Sequence, residues 1–482
     1  MNDAHVDRAA RTPNLLLILT DQQRADTVTP GGPCPTPHLQ ALAREGASFR
    51  RAYAPNPICS PTRASLFTGL RPHAHGMVDV THAVPPERSE LKSDLPFWTR
   101  TVRDAGYRTG YFGKWHVERS DRLERFGFDE YETELRLTGV QDHDAPLVPR
   151  IAVRHDGYRE FLLAGVSDEP ASGTPEAALV DRGIDFIRRA AAEPDRPWMA
   201  VVSTEAPHDP YVAPRELFDR IDLGRVELPV SYRDPLDAAP EVYARIRTAW
   251  RDLSEEEVRT AIACYRALCA GLDDQVGRLL AALRDSGQEE ETLVVFASDH
   301  GDYLGAHGLF LKGAPAYEEA YRVPWIVRGP GVAPGTVIDE PVGLTDLGPT
   351  VLRLLLDRDH PSHGRDLTPR LRGDRLDDPE ATAFAEFHGQ RFGYTQRIVW
   401  HGRFKYVFNG FARDELYDLE TDPHEFANLA DDPDHAPVLR DLAQRMWRHA
   451  HETGDDTLTG AQYGMFRFAP VGPEAGAPER RP

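Results

Sequence analysis

The sequence is poor in cysteine, in long apolar runs and in positive charge, and each shortage excludes something. Four cysteines occur in 482 residues, at Cys34, Cys59, Cys264 and Cys269. None forms a Cys-x-x-Cys pair, so the usual zinc and thioredoxin-type motifs are absent. Cys264 and Cys269 lie five apart in a helix-like stretch and would face different sides. Buried, reduced thiols are expected for all but Cys59. The first apolar run, residues 15–19, is far shorter than the roughly 18 residues a membrane span needs. Residues 1–14 are polar and show no apolar signal-peptide core. A cytoplasmic protein with no membrane partner is therefore expected. Lys and Arg total 56 against 77 Asp and Glu, a formal net charge of −21. That balance speaks against a nucleic-acid partner, whose binders carry a basic footprint. It also disfavours steering of large polyanions to the surface. A small anion is less affected, because screening over about 8 Å lets a local basic pocket override the distant field. The chain shows no internal repeat.

What is present is an alternation of short β-rich apolar runs with helical segments, which indicates an α/β fold. Hydrophobic residues make up 40% of the chain, enough for a large core. Four runs stand out. Residues 15–19 end at Thr20-Asp21-Gln22, and residues 107–112 end at Gly113-Lys114-Trp115-His116. Residues 198–203 lead to Ala206-Pro207-His208, and residues 292–297 end at Ser298-Asp299-His300-Gly301. Each places titratable or metal-binding side chains just past the carboxyl end of a strand, where open α/β sheets hold their ligands. Residues 255–284 read as a long helix. Residues 120–175 are rich in charge, Pro and Gly and are predicted to be irregular loops over the pocket. A boundary is expected between 365 and 366. It separates an N-terminal catalytic α/β domain from a C-terminal subdomain, 366–455, with strands at 383–387, 396–400 and 404–408 and a helix at 436–449. Residues 456–482 are expected to be a partly disordered tail, most clearly from Val471.

The central segment is Ile58-Cys59-Ser60-Pro61-Thr62-Arg63-Ala64-Ser65-Leu66-Phe67-Thr68-Gly69. It reads as a helix start with Ser60 as N-cap, Pro61 at the first helical position and Gly69 as the stop. Cys59 then sits against a helix N-terminus, where partial positive charge favours anions, and Arg63 can point back toward it. Cys-x-Pro-x-Arg followed by Ala-Ser-Leu-Phe-Thr-Gly resembles the signature of the type I sulfatases, within the alkaline-phosphatase-like superfamily. Residues 19–26 resemble that family's first metal motif. Gly113-Lys114-Trp115-His116, Ala206-Pro207-His208 and Ser298-Asp299-His300-Gly301 resemble later ones. So do His307-Gly308 through Lys312, Tyr317-Glu318-Glu319, Arg322-Val323-Pro324, and Glu415-Leu416-Tyr417-Asp418-Leu419 with Asp422-Pro423. The resemblance runs in order from about residue 14 to 428 and implies a large, mostly parallel sheet flanked by helices, with a small antiparallel sheet following.

It also implies a chemistry. In that family the cysteine is oxidised to formylglycine by a formylglycine-generating enzyme. A plain thiolate could attack sulfur but would leave an adduct with no internal exit, whereas a hydrated aldehyde attacks with one hydroxyl and expels sulfate with the other. A divalent cation activates that hydroxyl. Asp21, Gln22, Asp299 and His300 are the expected ligands, with residue 59 itself. The set is mostly oxygen, and the resemblance implies Ca²⁺, with Mg²⁺ or Mn²⁺ as alternatives. Many family members carry Asp where Gln22 stands and Asn where His300 stands. Lys114 and Lys312 are expected to hold the sulfate oxygens and Arg63 the oxidised residue 59. His116 is expected to take the proton in the elimination step, and His208, with Lys312, to protonate the leaving oxygen. His73, His75 and His307 are read as structural or pocket-lining.

Two other readings stay open. Phosphonate monoester and phosphodiester hydrolases of the same superfamily share the Asp-Gln and Asp-His pairs, and they too can use formylglycine. A binding protein that keeps the site unmodified is the other. The expected partner is a small sulfated molecule, a sugar sulfate among the candidates, with a homo-oligomer as the family-level assembly. Residues 78–88, 120–175 and 388–394 are expected to set the substrate.

Overall fold

A strand with no polar face is stable only when both faces are covered. Asn14–Thr20 (β1), Arg108–Gly113 (β2), Trp198–Ser203 (β3) and Thr292–Ser298 (β4) are of this kind, and every residue of β1, β3 and β4 is buried. The structure is a computed structural model that describes residues 12–86, 89–92, 94–120, 122–133, 146–374, 378–390, 392–410, 412–460 and 469–477. The four strands sit in an eight-stranded sheet, ordered Thr336–Ile338, Ala47–Phe49, Trp325–Arg328, β4, β1, β3, β2, Glu130–Thr133. From β4 to Glu130–Thr133 all neighbours run parallel, and Trp325–Arg328 is antiparallel to both of its own.

Period-two alternation divides β1 between two cores. Leu15, Leu17 and Leu19 pack with Ala64, Leu66 and Phe67 of the helix Cys59–Thr68 (α1). Leu16 and Ile18 pack with Ile184 of Pro175–Ala191 and Leu279 of Glu255–Asp285 (α2). A capping box of Ser254 and Glu257 starts α2. Register then fixes the site. Thr20 pairs with Ser298, Leu19 with Ser203, and Ser203 with Gly113. The carboxyl ends of β1 to β4 therefore finish in one row.

The C-terminal part is a four-stranded antiparallel sheet, Thr382–Gly389, Gly393–His401, Phe404–Asn409 and Glu415–Asp418, in chain order. The helix Ala436–Thr453 (α3) packs on it through Leu442, Met446 and Trp447. The fold is thus α/β with a mostly parallel central sheet and a C-terminal antiparallel sheet. All four cysteines are free and buried. Among the described residues no helix is long and apolar enough to cross a membrane.

Two expectations change. Within 120–175, Leu147–Val153 and Phe161–Ser167 are strands that join Tyr211–Pro214 in a three-stranded sheet. Leu163, Ala164 and Val166 of that sheet pack on Ile262 and Tyr265 of α2. Arg150 and Arg154 both reach Glu160 on the solvent side, so charge that reads as loop is the wet face of a sheet. Residues 121 and 134–145 of that region lie outside the described residues. The tail also differs. Residues 469–477 lie along α3, where Trp447 Nε1 donates to the Val471 carbonyl at 2.9 Å. A Cβ on Gly476 would come within 2.4 Å of the Arg448 nitrogen. The Gly-rich composition here permits close backbone docking. Residues 1–11, 461–468 and 478–482 lie outside the described residues.

The C-terminal sheet is tied to the segment that follows α1, Pro72–His75, by a buried ion cluster. His73 Nδ1 donates to Glu386 at 2.9 Å and His73 Nε2 to the Thr453 carbonyl at 3.1 Å. His388 donates to Glu386 at 2.8 Å, and Arg397 Nε to Asp455 at 2.7 Å. With both nitrogens donating, His73 is an imidazolium. Burial opposes that charge, but the Glu386 hydrogen bond outweighs it and raises its pKa. Burial likewise opposes the Glu386 carboxylate, yet its His388 and His73 hydrogen bonds hold it well below the usual range. Glu386→Ala should cost about 3 kcal/mol or more, because it strands buried cations without their anion. The sign of the pH dependence follows by linkage. The Glu386 contribution is complete above pH 4.5 and is lost as pH falls through its folded value; that of His73 is complete below pH 6.5 and is lost as pH rises through its own. Urea denaturation should show the largest gap between wild type and Glu386→Gln between pH 4.5 and 6.5.

Candidate active site

The helix α1 starts at Cys59, with Ile58 rather than Ser60 as N-cap. Asn56 explains the shift. Its Oδ1 accepts from the Ile58 N–H at 2.9 Å, and its carbonyl accepts from Thr62 Oγ1 at 2.6 Å. No side chain caps the first turn, and the Ser60 Oγ accepts instead from the Thr81 N–H at 3.2 Å. Gly69 ends the helix at φ 70°, as its sequence position predicts. Cys59 lies in the first turn, 2% exposed.

Arg63, one turn on, is fully buried and stands between two strand ends. Its Nε donates to Asp299 Oδ2 at 2.7 Å, and Nη2 to Asp21 Oδ2 at 3.2 Å. Its Nη1 donates to the Lys114 carbonyl at 2.8 Å and to Ser203 Oγ at 2.9 Å. Four of the five guanidinium hydrogens are thus used on β1, β2, β3 and β4. Arg63 binds the two carboxylates that flank it, which leaves one guanidinium hydrogen for the expected contact with oxidised residue 59.

Each carboxylate turns its other oxygen inward. Asp21 Oδ1 lies 3.9 Å from Cys59 Sγ and 3.6 Å from His300 Nε2. Asp299 Oδ1 lies 3.7 Å from His300 Nε2, which is 3.2 Å from Cys59 Sγ. His300 Nδ1–H donates to the Gly301 carbonyl at 2.9 Å, so Nε2 presents its lone pair to this centre. Burial lowers the His300 pKa, which keeps the ring neutral. Ligand atoms of Asp21, Cys59, Asp299 and His300 all lie within 4.8 Å of one another. Asp299 Oδ1 also accepts from the backbone N–H groups of Gln22 at 3.1 Å and His300 at 2.8 Å. The donor set of two carboxylates, an imidazole and residue 59 fits a divalent ion.

A second group, His73, Glu386 and Asp455, is as tightly gathered. Arg397 already supplies positive charge there, at 2.7 Å from Asp455, so the chemistry does not call for a metal.

Gln22, the fifth expected ligand, has its side chain engaged elsewhere. Its Nε2 donates to Asp209 Oδ1 at 3.1 Å and to Asp302 Oδ2, while its Oε1 accepts from Lys312 Nζ. Tyr211 OH also donates to Asp302. Asp209, Asp302 and Tyr211 were not singled out in the sequence. The signal existed, because Asp209 follows His208 directly and Asp302 lies two residues past His300.

Two ammonium groups and two imidazoles complete the site. Lys114 Nζ is 2.9 Å from Asp21 Oδ2 and 3.4 Å from Glu205. Burial works against the Lys114 charge, but Asp21 and Glu205 raise its pKa beyond the usual lysine range. Lys312 Nζ donates to His208 Nε2 at 2.6 Å. His208 Nδ1 donates to the Asp209 carbonyl at 2.6 Å. Burial disfavours its imidazolium, yet Asp209 and Asp21 lift the pKa above the ordinary value. His116 stands at φ 46° and faces His82. Gly113, just before Lys114, has φ 111°, and a Cβ there would fall 1.8 Å from the Ser203 carbonyl oxygen. Only glycine lets β2 close on β3 at that point. His75 is bonded to Ser65 and His307 to Asp234, stacked on Tyr317; both are structural.

Comparison with known proteins identifies the family of the chain. The sulfatase family model matches residues 13–357, and that for the C-terminal part of N-sulphoglucosamine sulphohydrolase matches residues 305–452. A choline-sulfatase of Rhizobium meliloti (strain 1021) is 32% identical over 461 residues, covering 90% of this chain and 87% of its own. An uncharacterized sulfatase of Escherichia coli (strain K12) is 32% identical over 432 residues, covering 88% and 84%. Among solved structures, a phosphonate monoester hydrolase from Silicibacter pomeroyi superposes with a TM-score of 0.76 at 27% identity, covering 93% of this chain and 97% of that one.

Arg63→Lys should test the two-carboxylate arrangement. A lysine cannot bridge Asp21 and Asp299 in the same plane. Divalent-cation affinity, read by calorimetric titration, should fall about 10- to 100-fold while the fold persists.

Proposed function

The chain belongs to the sulfatase family, and on that premise we propose that it hydrolyses a small sulfate monoester to an alcohol and sulfate. The observation that carries this reading is the convergence of Asp21, Cys59, Asp299 and His300 beside Lys114, Lys312 and His208. An anionic group bound here would meet two ammonium ions, a candidate cation site and an imidazole, all on buried or half-buried side chains.

Residue 59 acts after oxidation to formylglycine, which supplies once hydrated the nucleophilic oxygen and the internal means to release sulfate. A bound divalent cation, Ca²⁺ with Mg²⁺ or Mn²⁺ as alternatives, lowers the pKa of that oxygen. Asp21, Asp299 and His300 would hold it, with residue 59 and with Gln22 if its amide turns from Lys312. The remaining work belongs to the side chains. Lys114 and Lys312 bind the sulfate oxygens and offset the charge that develops on them. His208, with Lys312 Nζ 2.6 Å away, delivers a proton to the leaving alcohol oxygen. His116 takes the proton whose loss lets sulfate depart. Arg63 keeps Asp21 and Asp299 in place throughout.

A second reading has its own observation. The phosphonate monoester hydrolase superposes over nearly the whole chain, and Gln22 with His300 resembles the pairs of that class. Both reactions place a tetrahedral oxyanion on the same lysines, so only kinetics separates them. With fully oxidised enzyme, kcat/KM should be higher for an aryl sulfate than for the matching aryl phosphonate monoester; the reverse order transfers the assignment to the second reading.

Three measurements address the nucleophile. The peptide containing residue 59 should be lighter by about 18 Da after co-expression with a formylglycine-generating enzyme, from the elemental change alone. Cys59→Ala should fold and show no turnover, and turnover there contradicts a covalent route. Cys59→Ser should react once and stall, because it lacks the second hydroxyl; repeated turnover excludes elimination.

A further inference from the structure

His82 has no role in the chemistry above, yet it is held firmly beside it. It lies in a turn pinned to α1 by the Thr81 N–H, which donates to Ser60 Oγ one residue after Cys59. From the other side Arg119 donates to the Thr81 carbonyl at 2.9 Å and to the Val84 carbonyl at 3.1 Å. Ala83 N–H closes the turn on the Val80 carbonyl at 2.9 Å. Val80 and Ala83 pack with Ile58. The backbone of His82 is therefore fixed relative to residue 59, although its side chain is open to solvent.

The His82 ring lies nearly parallel to that of His116, at an interplanar angle of 8° and a centroid separation of 5.6 Å. His116 Nε2 is 3.4 Å from His82 Nδ1. A neutral imidazole has one N–H and one lone pair, and what its neighbours accept decides which nitrogen carries the proton. His116 Nδ1 is buried and has no hydrogen-bond partner among the described residues. An N–H there would be a buried donor without an acceptor, the rarer and costlier of the two defects. The proton therefore belongs on Nε2, donated to His82 Nδ1, and Nδ1 keeps a bare lone pair. Burial and the Lys114 ammonium push the His116 pKa well below its ordinary value, so the ring stays neutral. The left-handed backbone at His116, φ 46°, is seldom adopted without glycine and marks the residue as held in place by its surroundings.

We propose that His82 is a positioning residue: by accepting the Nε2 proton of His116 it fixes the tautomer whose Nδ1 serves as the base toward residue 59. The proposal rests on the reading of His116 as the proton acceptor of the ester hydrolysis. It balances simply, since the proton His116 gains on Nδ1 makes an imidazolium whose Nε2–H still points at His82.

The experiment combines three variants with a spectroscopic readout. In ¹⁵N-histidine-labelled full-length enzyme, His116 should be an Nε2–H tautomer with unprotonated Nδ1, and His82→Ala should disturb that state. In turnover, His82→Ala should lower kcat about 10- to 100-fold, as loss of an outer hydrogen-bond partner does, with KM within about twofold. His82→Asn can place an amide oxygen where Nδ1 was and should recover most of kcat. His82→Phe keeps the stacked ring without the acceptor and should behave like His82→Ala. An Nδ1–H tautomer in the wild type overturns the proposal, as does an Asn variant no better than Ala. So does a loss confined to KM, which would make His82 a substrate contact. Should the wild type turn over no sulfate ester, the spectra still decide the tautomer, so the two readings fail separately.

Discussion

The site depends on one buried guanidinium. Asp21 and Asp299 come from adjacent parallel strands, and two fully buried carboxylates so close repel each other strongly. Arg63 lies between them and takes one oxygen of each. That arrangement leaves the other two oxygens facing inward, toward His300 and Cys59. It also fastens α1 to the ends of β2 and β3 through the Lys114 carbonyl and Ser203. The helix that carries Cys59 and the strands that lead into Asp21 and Asp299 are thus held by the same group. Desolvation disfavours the Arg63 charge, but the two aspartates restore it.

Gln22 sits next in importance because it is neutral. Its amide spans Lys312 on one side and Asp209 and Asp302 on the other. A carboxylate there would add a third negative charge beside two buried ones. The amide instead donates to both and accepts from the ammonium, so it orders Lys312 beside His208 without altering the charge. This gives the difference from the family's common Asp a physical meaning: the local field is less negative beside Lys312.

How much of this was legible varies by residue. β1, β2, β3 and β4 match their apolar runs to within a residue, because a strand buried on both faces has little freedom in composition. The grouping of Asp21, Lys114, His208, Asp299 and His300 followed from strand ends, and register put those ends in one row. Side-chain direction was not legible. Nothing local says that Arg63 faces Asp21 and Asp299, or that Gln22 turns to Lys312, since those partners lie 42 to 290 positions away. Nor was the turn at Asn56, where a side chain displaced the expected cap by two residues. The strands of 147–167 were hidden for another reason: one face is wet and charged, and the register shifts between Leu147 and Arg150 break the alternation.

The burial of residue 59 also sets an order of events. Cys59 is 2% exposed in a helix buried along its whole length, against a sheet in which β1 pairs with β4 across 278 positions of sequence. Once β1 and β4 have paired and α1 has packed on them, that thiol is buried. If the residue is to be oxidised by another enzyme, the reaction has to catch the chain while residues near 59 have emerged and residues near 299 have not yet closed over them. The finished catalyst would then carry a record of its own synthesis, a group installed during an interval that folding brings to an end.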